Sequence, residues 1–198
     1  MKGFFIMKRF LLTALATSAL VFAGASAFAA EQFALDPAHT NVVWKADHLG
    51  FSYPSGKFAQ VEGTLILDEK KPEKSSVRVT LYPESIVTGN DKFNGHLSSA
   101  DFFNVEKFTK AEFVSKSVEQ TGDKTADIHG ELTLLGVTKP LVLKAKLNKV
   151  GPNPFSQTKT AGFSATGVIK RSEFGMGWGL PNIGDDVQID IEAEFVKN

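Results

Sequence analysis

The residues of this chain that could move a proton or hold a metal ion are four histidines, His39, His48, His96 and His129. None is spaced as an HxH or HExxH pair, and there is no cysteine to complete a zinc set. A lone histidine on a strand is usually a hydrogen-bonded structural residue. Gly175-Met176-Gly177-Trp178-Gly179 is glycine-rich. It lacks the strand before and helix after that a phosphate cradle needs, and reads as a flexible rim loop. Asp185-Asp186 pairs two carboxylates, but neighbours in a turn are normally solvated. No GxSxG elbow, Walker loop or dinucleotide fingerprint is present. The inventory therefore supplies no catalytic constellation, no metal site and no cofactor site, and the chain reads as a protein that is not an enzyme.

What must be positioned is instead apolar. The chain holds 17 phenylalanines and no cysteine, so its stability rests on its core rather than on disulfides. Lys2, Lys8 and Arg9 precede an apolar run from Phe10 to Ala23, and Ala27-Phe28-Ala29 has the small-x-small pattern of a cleavage site. Residues 1–29 read as a secretory signal peptide, complete also if Met7 is the start. The run is shorter than the ~20 residues of a spanning helix. Residues 30–198 then form one exported domain, expected in the periplasm. Removing 1–29 takes away three basic residues and no acid, leaving 19 Lys and Arg against 22 Asp and Glu. That mildly acidic balance argues against a nucleic-acid partner.

Alternation dominates the domain. Val187, Ile189, Ile191, Ala193 and Phe195 alternate with Gln188, Asp190, Glu192 and Glu194. Successive strand side chains face opposite ways, so this is an antiparallel strand with one wet face. Ile128 to Leu134 and Leu141 to Leu147 repeat the pattern around a turn read at Gly136–Pro140. Rows at Val42–His48, Val61–Leu67, Val77–Leu81, 110–117 and Phe163–Ile169 bring the count to about eight strands. The fold class is all-β, with a short helical segment around 90–106 in which Asp101 could cap a turn. A sandwich or a closed barrel satisfies this count. Ala46, Gly63, Gly130, Ala145, Ala165, Gly167 and Ala193 fall in the inward rows. Small residues there leave room for a cavity or relieve crowding at bends.

Several segments read together carry a resemblance. They are His48-Leu49-Gly50-Phe51-Ser52, Gly56-Lys57-Phe58, His96-Leu97-Ser98-Ser99-Ala100-Asp101-Phe102-Phe103, and Gly130 through Pro140 with its Leu-Thr-Leu-Leu-Gly-Val-Thr-Lys-Pro core. With Lys107-Phe108, Ala161-Gly162-Phe163 and Phe174, this order resembles the YceI-like family of periplasmic, lipocalin-like, polyisoprenoid-binding proteins, from about Phe33 to Phe195. The resemblance implies an extended eight-stranded antiparallel barrel that binds a polyisoprenoid, an isoprenoid quinone or a fatty amide for transport or storage. Family members are described as lipid carriers or stress-induced periplasmic proteins. Two departures from the family matter: Ser98 stands where a basic residue is common, and Phe93 and Asn94 stand where an arginine is frequent. If those bases meet a pyrophosphate head in relatives, this chain prefers a less charged head.

The expected lining is Trp44, Phe58, Leu65, Phe102, Phe103, Phe108, Phe113, Leu132, Phe163, Ile169, Phe174 and Ile191, with His48 and His96 near the lipid head. No cofactor is expected beyond the lipid itself. A homodimer and transient contact with a membrane are further expectations. The competing readings are an enzyme acting on the bound lipid and a stress or interaction protein with a filled barrel core.

Overall fold

The computed structural model describes Met1 and residues 30–198. Apart from Met1, the export signal read over 1–29 lies outside the described residues. The strands are β1 (Glu31–Leu35), β2 (Asn41–His48), β3 (Ser55–Phe58), β4 (Val61–Leu67), β5 (Ser76–Leu81), β6 (Ile86–Val87), β7 (Ala111–Gln120), β8 (Thr125–Leu134), β9 (Val137–Pro152), β10 (Lys159–Lys170) and β11 (Ile183–Lys197). One helix, α1 (Asp91–Ser98), lies between β6 and β7.

All strand pairings are antiparallel, and β1 closes the sheet on β11. The first three wall strands are each broken in two. β1 and β2 both pair with β11, at Leu35↔Phe195 and Val42↔Ile191. β3 and β4 lie against β2 and β1, and β6 and β5 lie against β3 and β4. The wall is therefore a closed, eight-stranded, up-and-down barrel. Closure satisfies the edge groups that an open sheet would leave unpaired.

The breaks have local causes. Between β1 and β2, Asp36 folds the chain by accepting from the Ala38 amide at 2.9 Å and pairing with His39 Nδ1 at 2.8 Å. Between β5 and β6, Pro83 opens a 3-10 turn, where a missing N–H costs nothing. The turn read at Gly136–Pro140 is only two residues long. Leu134 pairs with Val137 around Leu135 (φ 52°) and Gly136 (φ 75°), the positive-φ pair of a tight hairpin. Pro140 sits inside β9.

The helix is also shorter than the 90–106 expected. Asn90 caps it by accepting from the Phe93 amide at 3.0 Å. At its far end the Ser98 and Ser99 hydroxyls bond back to the Asn94 and His96 carbonyls, and Ser99 turns extended. Serine hydroxyls compete with the backbone in this way and favour helix ends. Asp101 caps nothing; its carboxylate faces His96 Nε2 at 3.3 Å.

Candidate functional site

The inward rows of all eight wall strands enclose one elongated lumen of about 600 Å³. Its lining reaches exposed residues at both ends: His48 and Trp178 at the end that carries α1, and Asp123 and Lys124 at the other. These are called here the helical and the charged ends. Pockets of about 300–1,000 Å³ commonly bury small ligands. A dry void of this size would cost on the order of 10 kcal/mol at the ~24 cal/mol per Å³ of engineered cavities. That rivals a domain's whole net stability, so such a lumen suits a protein that fills it with a guest.

The small inward residues divide into two groups. Ala46, Ala145, Ala165 and Ala193 line the lumen. The glycines of those rows are seats for neighbours. A Cβ on Gly130 would stand 2.3 Å from Phe113 Cζ, one on Gly63 3.1 Å from a Leu35 methyl, and one on Gly167 2.9 Å from a Leu143 methyl. The space in the lumen therefore comes from alanine, and glycine lets large side chains lie flat against the wall.

Twelve of the fourteen residues read as lining border the lumen: Trp44, Phe58, Leu65, Phe102, Phe103, Phe113, Leu132, Phe163, Ile169, Ile191, His48 and His96. Phe108 and Phe174 do not, and both assignments are corrected. Phe108 sits under the β8–β9 turn, where a Cβ on Gly136 would meet its ring at 3.1 Å, and Lys107 Nζ lies 5.1 Å from its centroid. Phe174 is buried in the packing beneath the loop that follows β10, beside Met176. Both rings satisfy their apolar surface in the wall's ends rather than inside it.

The helical end is an aromatic gate. α1 and the turns after it place Phe93 edge-on to Trp44 (6.3 Å between centroids) and Phe103 edge-on to Phe58 (5.6 Å). His96 stands between Phe102 and Trp178 at 5.0 and 4.8 Å. Phe93 and Trp178, both in the lining, were missed by sequence reasoning. The signal for Trp178 was an indole stranded among glycines in a loop. Trp44 lies flat on β3: a Cβ on its partner Gly56 would meet the indole at 2.8 Å.

Arg171 is a third residue that the sequence did not reveal. It is 3% exposed. Its Nε donates to the Gly184 carbonyl (2.8 Å), Nη1 to those of Met176 (2.7 Å) and Trp178 (2.9 Å), and Nη2 to that of Ile183 (2.9 Å). Four of its five N–H groups thus tie the loop that carries Trp178 to the start of β11. The loop read as flexible is clamped from inside. Burial pushes the guanidinium below its ordinary value, and the Asp185 charge opposes that. Burial works to raise the Asp185 carboxyl, but hydrogen bonds from the Ser172 amide and hydroxyl hold it below its ordinary value. The Asp185-Asp186 pair is thereby divided between Ser172 and Lys170.

Among the described residues, two side-chain polar atoms are buried without a partner, Trp44 Nε1 and Asp47 Oδ1. Both residues line the lumen near the helical end. One offers a donor and the other an acceptor. On the outer wall, the ligand atoms of Asp36, His39 and Glu194 lie within 4.8 Å of one another. The Asp36–His39 bond that folds the β1–β2 break accounts for that approach, and it raises the His39 pKa.

With the geometry in place, comparison with known proteins gives it a family. Residues 33–195 match the model of the YceI-like domain. The chain belongs to the YceI-like family. It is 39% identical to a UPF0312 protein of Pseudomonas putida strain F1 over 192 residues, covering 97% of this chain and 98% of the relative. Among solved structures it resembles the Campylobacter jejuni YCEI protein, with a TM-score of 0.70 at 29% identity over 77% of this chain and 90% of that one. The same fold is seen in Burkholderia cenocepacia BcnA (TM-score 0.74, 22% identity, 81% and 98% covered). It recurs in a polyisoprenoid binding domain of Saccharophagus degradans (TM-score 0.64, 14% identity, 84% and 98% covered).

Proposed function

We propose that this YceI-like barrel binds a long-chain lipid in its lumen and carries or stores it, without catalysing a reaction on it. The observation that carries the reading is the continuous apolar lumen, walled by the inward rows of all eight strands. Burial of one CH₂ is worth about 0.8 kcal/mol, so each five-carbon isoprene unit contributes roughly 3–4 kcal/mol before ordering costs. A polyisoprenoid or fatty tail needs no strong polar contact to be held at that rate. The structurally similar Saccharophagus domain is a polyisoprenoid binding domain, which agrees with this class of guest. The charge, apolar run and small-residue site of residues 1–29 support a periplasmic setting.

The head group sits at the helical end, by Trp44, His48 and His96, and is uncharged or weakly charged. Phe93 fills part of the lining where an arginine is frequent in the family, and the Arg171 guanidinium is committed to backbone carbonyls. The free Trp44 donor and the Asp47 acceptor suit a quinone carbonyl or an amide better than a pyrophosphate. Native mass spectrometry of protein released gently from the periplasm, followed by lipid extraction, tests the reading. We expect a stoichiometric apolar adduct of defined mass. A clean mass without adduct, and no uptake of added prenyl or fatty lipid, would return the protein to the class of filled-core interaction barrels. In a competition assay the quinone should outbind the polyprenyl pyrophosphate; the reverse order removes the head-group assignment.

A further inference from the structure

Four large apolar side chains stand exposed together at the helical end: Leu49 (48%), Phe51 (88%), Tyr53 (70%) and Trp178 (45%). Three belong to the turn between β2 and β3. That turn is formed and tight. The His48 amide donates to the Ser52 carbonyl at 2.9 Å, the Phe51 amide donates to the His48 carbonyl at 3.0 Å, and Leu49 and Gly50 take positive φ. Phe51 is therefore held out into solvent by the backbone of a closed turn. The turn is joined to the Trp178 loop, because the Leu49 amide donates to the Asn182 carbonyl at 3.2 Å and His48 pairs with Ile183. Trp178 in turn lies against His96 and Phe102 in the lumen wall. The cluster is thus continuous with the opening of the cavity.

The charged end is finished differently. Asp68, Lys70, Asp123 and Lys124 border the lumen there, and Glu31, Glu69, Lys159 and Lys197 form ion pairs beside them. Scattered exposed apolar residues need no explanation, but a contiguous group at a cavity mouth marks a contact surface. Tyrosine and tryptophan favour the boundary between water and lipid, where one part of the ring system is apolar and the other wet.

We propose that the helical end docks on a lipid bilayer, seating Leu49, Phe51, Tyr53 and Trp178 in the boundary between head groups and acyl chains. The mouth then opens onto the membrane, and a lipid passes between bilayer and lumen without exposing its tail to water. This role in exchange rests on the lipid-binding reading above; the docking itself does not. A bilayer fits the cluster better than a second copy of this chain, because Tyr53 and Trp178 carry polar tips that the head-group boundary keeps wet while their rings are buried.

The test uses residues 30–198, whose sheet closes on itself, and vesicles of phosphatidylcholine, whose zwitterionic surface removes net-charge attraction. Flotation measures docking, and transfer of a fluorescent polyprenol between donor and acceptor vesicles measures exchange. Phe51→Ser with Tyr53→Ser should lower both by at least about tenfold, since both aromatic rings are withdrawn from the boundary. The same variant should take the polyprenol from detergent micelles as the wild type does, because neither residue is in the lining. Phe155→Ser, at the fully exposed aromatic of the β9–β10 turn beyond the charged end, should change nothing. Equal flotation of wild type and the double variant overturns the proposal. So does an equal loss in Phe155→Ser, or a dimer that the double variant dissolves in a wild type that does not float. Flotation without uptake from micelles would remove the lumen reading and the exchange role while docking stands.

Discussion

At the charged end, the closing seam of the barrel is tied by ion pairs at its rim, on the same strand faces as the inward rows. Glu31 on β1 receives Lys159 of β10 and Lys197 of β11, and Lys159 also reaches Glu69 at 2.7 Å. At the helical end, the opening is shaped by one buried guanidinium spread over four carbonyls, two in the Trp178 loop and two at the start of β11. The two solutions have different physics. Exposed ion pairs are screened by solvent and salt, and these link β1, β10 and β11, which backbone bonds already join through β11. A buried cation replaces hydrogen bonds that the loop could not otherwise make. The sheet itself would close without the first; the gate would not keep its shape without the second. The barrel thus places its buried cation at the end lined by aromatic side chains.

The largest test of this contrast is Arg171→Met. The substitution keeps the apolar stem and leaves four carbonyls without their donor. Unsatisfied buried groups cost about 1–3 kcal/mol each, and water will recover part, so the loss should be on the order of 3–5 kcal/mol in urea denaturation. Arg171→Lys should recover only a fraction, because an ammonium cannot reach carbonyls spread around a planar fork. A loss under about 1 kcal/mol would show that the Trp178 loop is held by something else.

A block halfway between the ends should come next. Ala165 on β10 faces its register partner Ala145 on β9, and both line the lumen. Ala165→Leu with Ala145→Leu would narrow the passage and exclude roughly one isoprene unit. At about 3 kcal/mol of lost burial, polyprenol affinity should fall on the order of a hundredfold, with the fold intact by circular dichroism. Unchanged affinity would mean that the tail stays within the helical half.

Much of this was legible in the sequence. The period-two rows of β4, β5 and β8 to β11 name the inward residues, because a one-residue slip would turn a whole row outward. The broken strands were not legible: β1, β3 and β6 are five, four and two residues long, too short for alternation to declare itself. Arg171 follows a strand as surface arginines do, and its burial depends on carbonyls 5 to 13 residues further on. Phe108 and Phe174 fail for a related reason. Phenylalanine signals burial, but only the path of the loops decides whether the ring meets the lumen or the packing around its rim. Position 93 could be read as a departure from the family, yet its contact with Trp44 needed the orientation of α1.

The smallest expected effect belongs to the seam. Hydrogen bonds from Lys159 and Lys197, with their charges, hold the Glu31 carboxyl below its ordinary value of 4.5, and the bonds that Lys159 donates to Glu31 and Glu69 raise its ammonium above 10.5. A lowered carboxylate stabilises the fold fully above its unfolded pKa and stops doing so as pH falls through the folded one. A raised ammonium does so fully below 10.5 and stops as pH rises through its folded value. Glu31→Gln should therefore unfold slightly more easily than wild type at neutral pH. The difference should begin to shrink as pH falls below about 4.5 and vanish only below the lower, folded-state pKa; it should also shrink at 1 M salt, where the Debye length is about 3 Å. Lys159 keeps Glu69 in the variant, which limits the loss further. Thermal melts of the two proteins from pH 3 to 8 give the comparison. A drop as large as that of Arg171→Met, unaffected by salt, would mean that the seam is clamped as firmly as the gate, and the difference between the two ends would disappear.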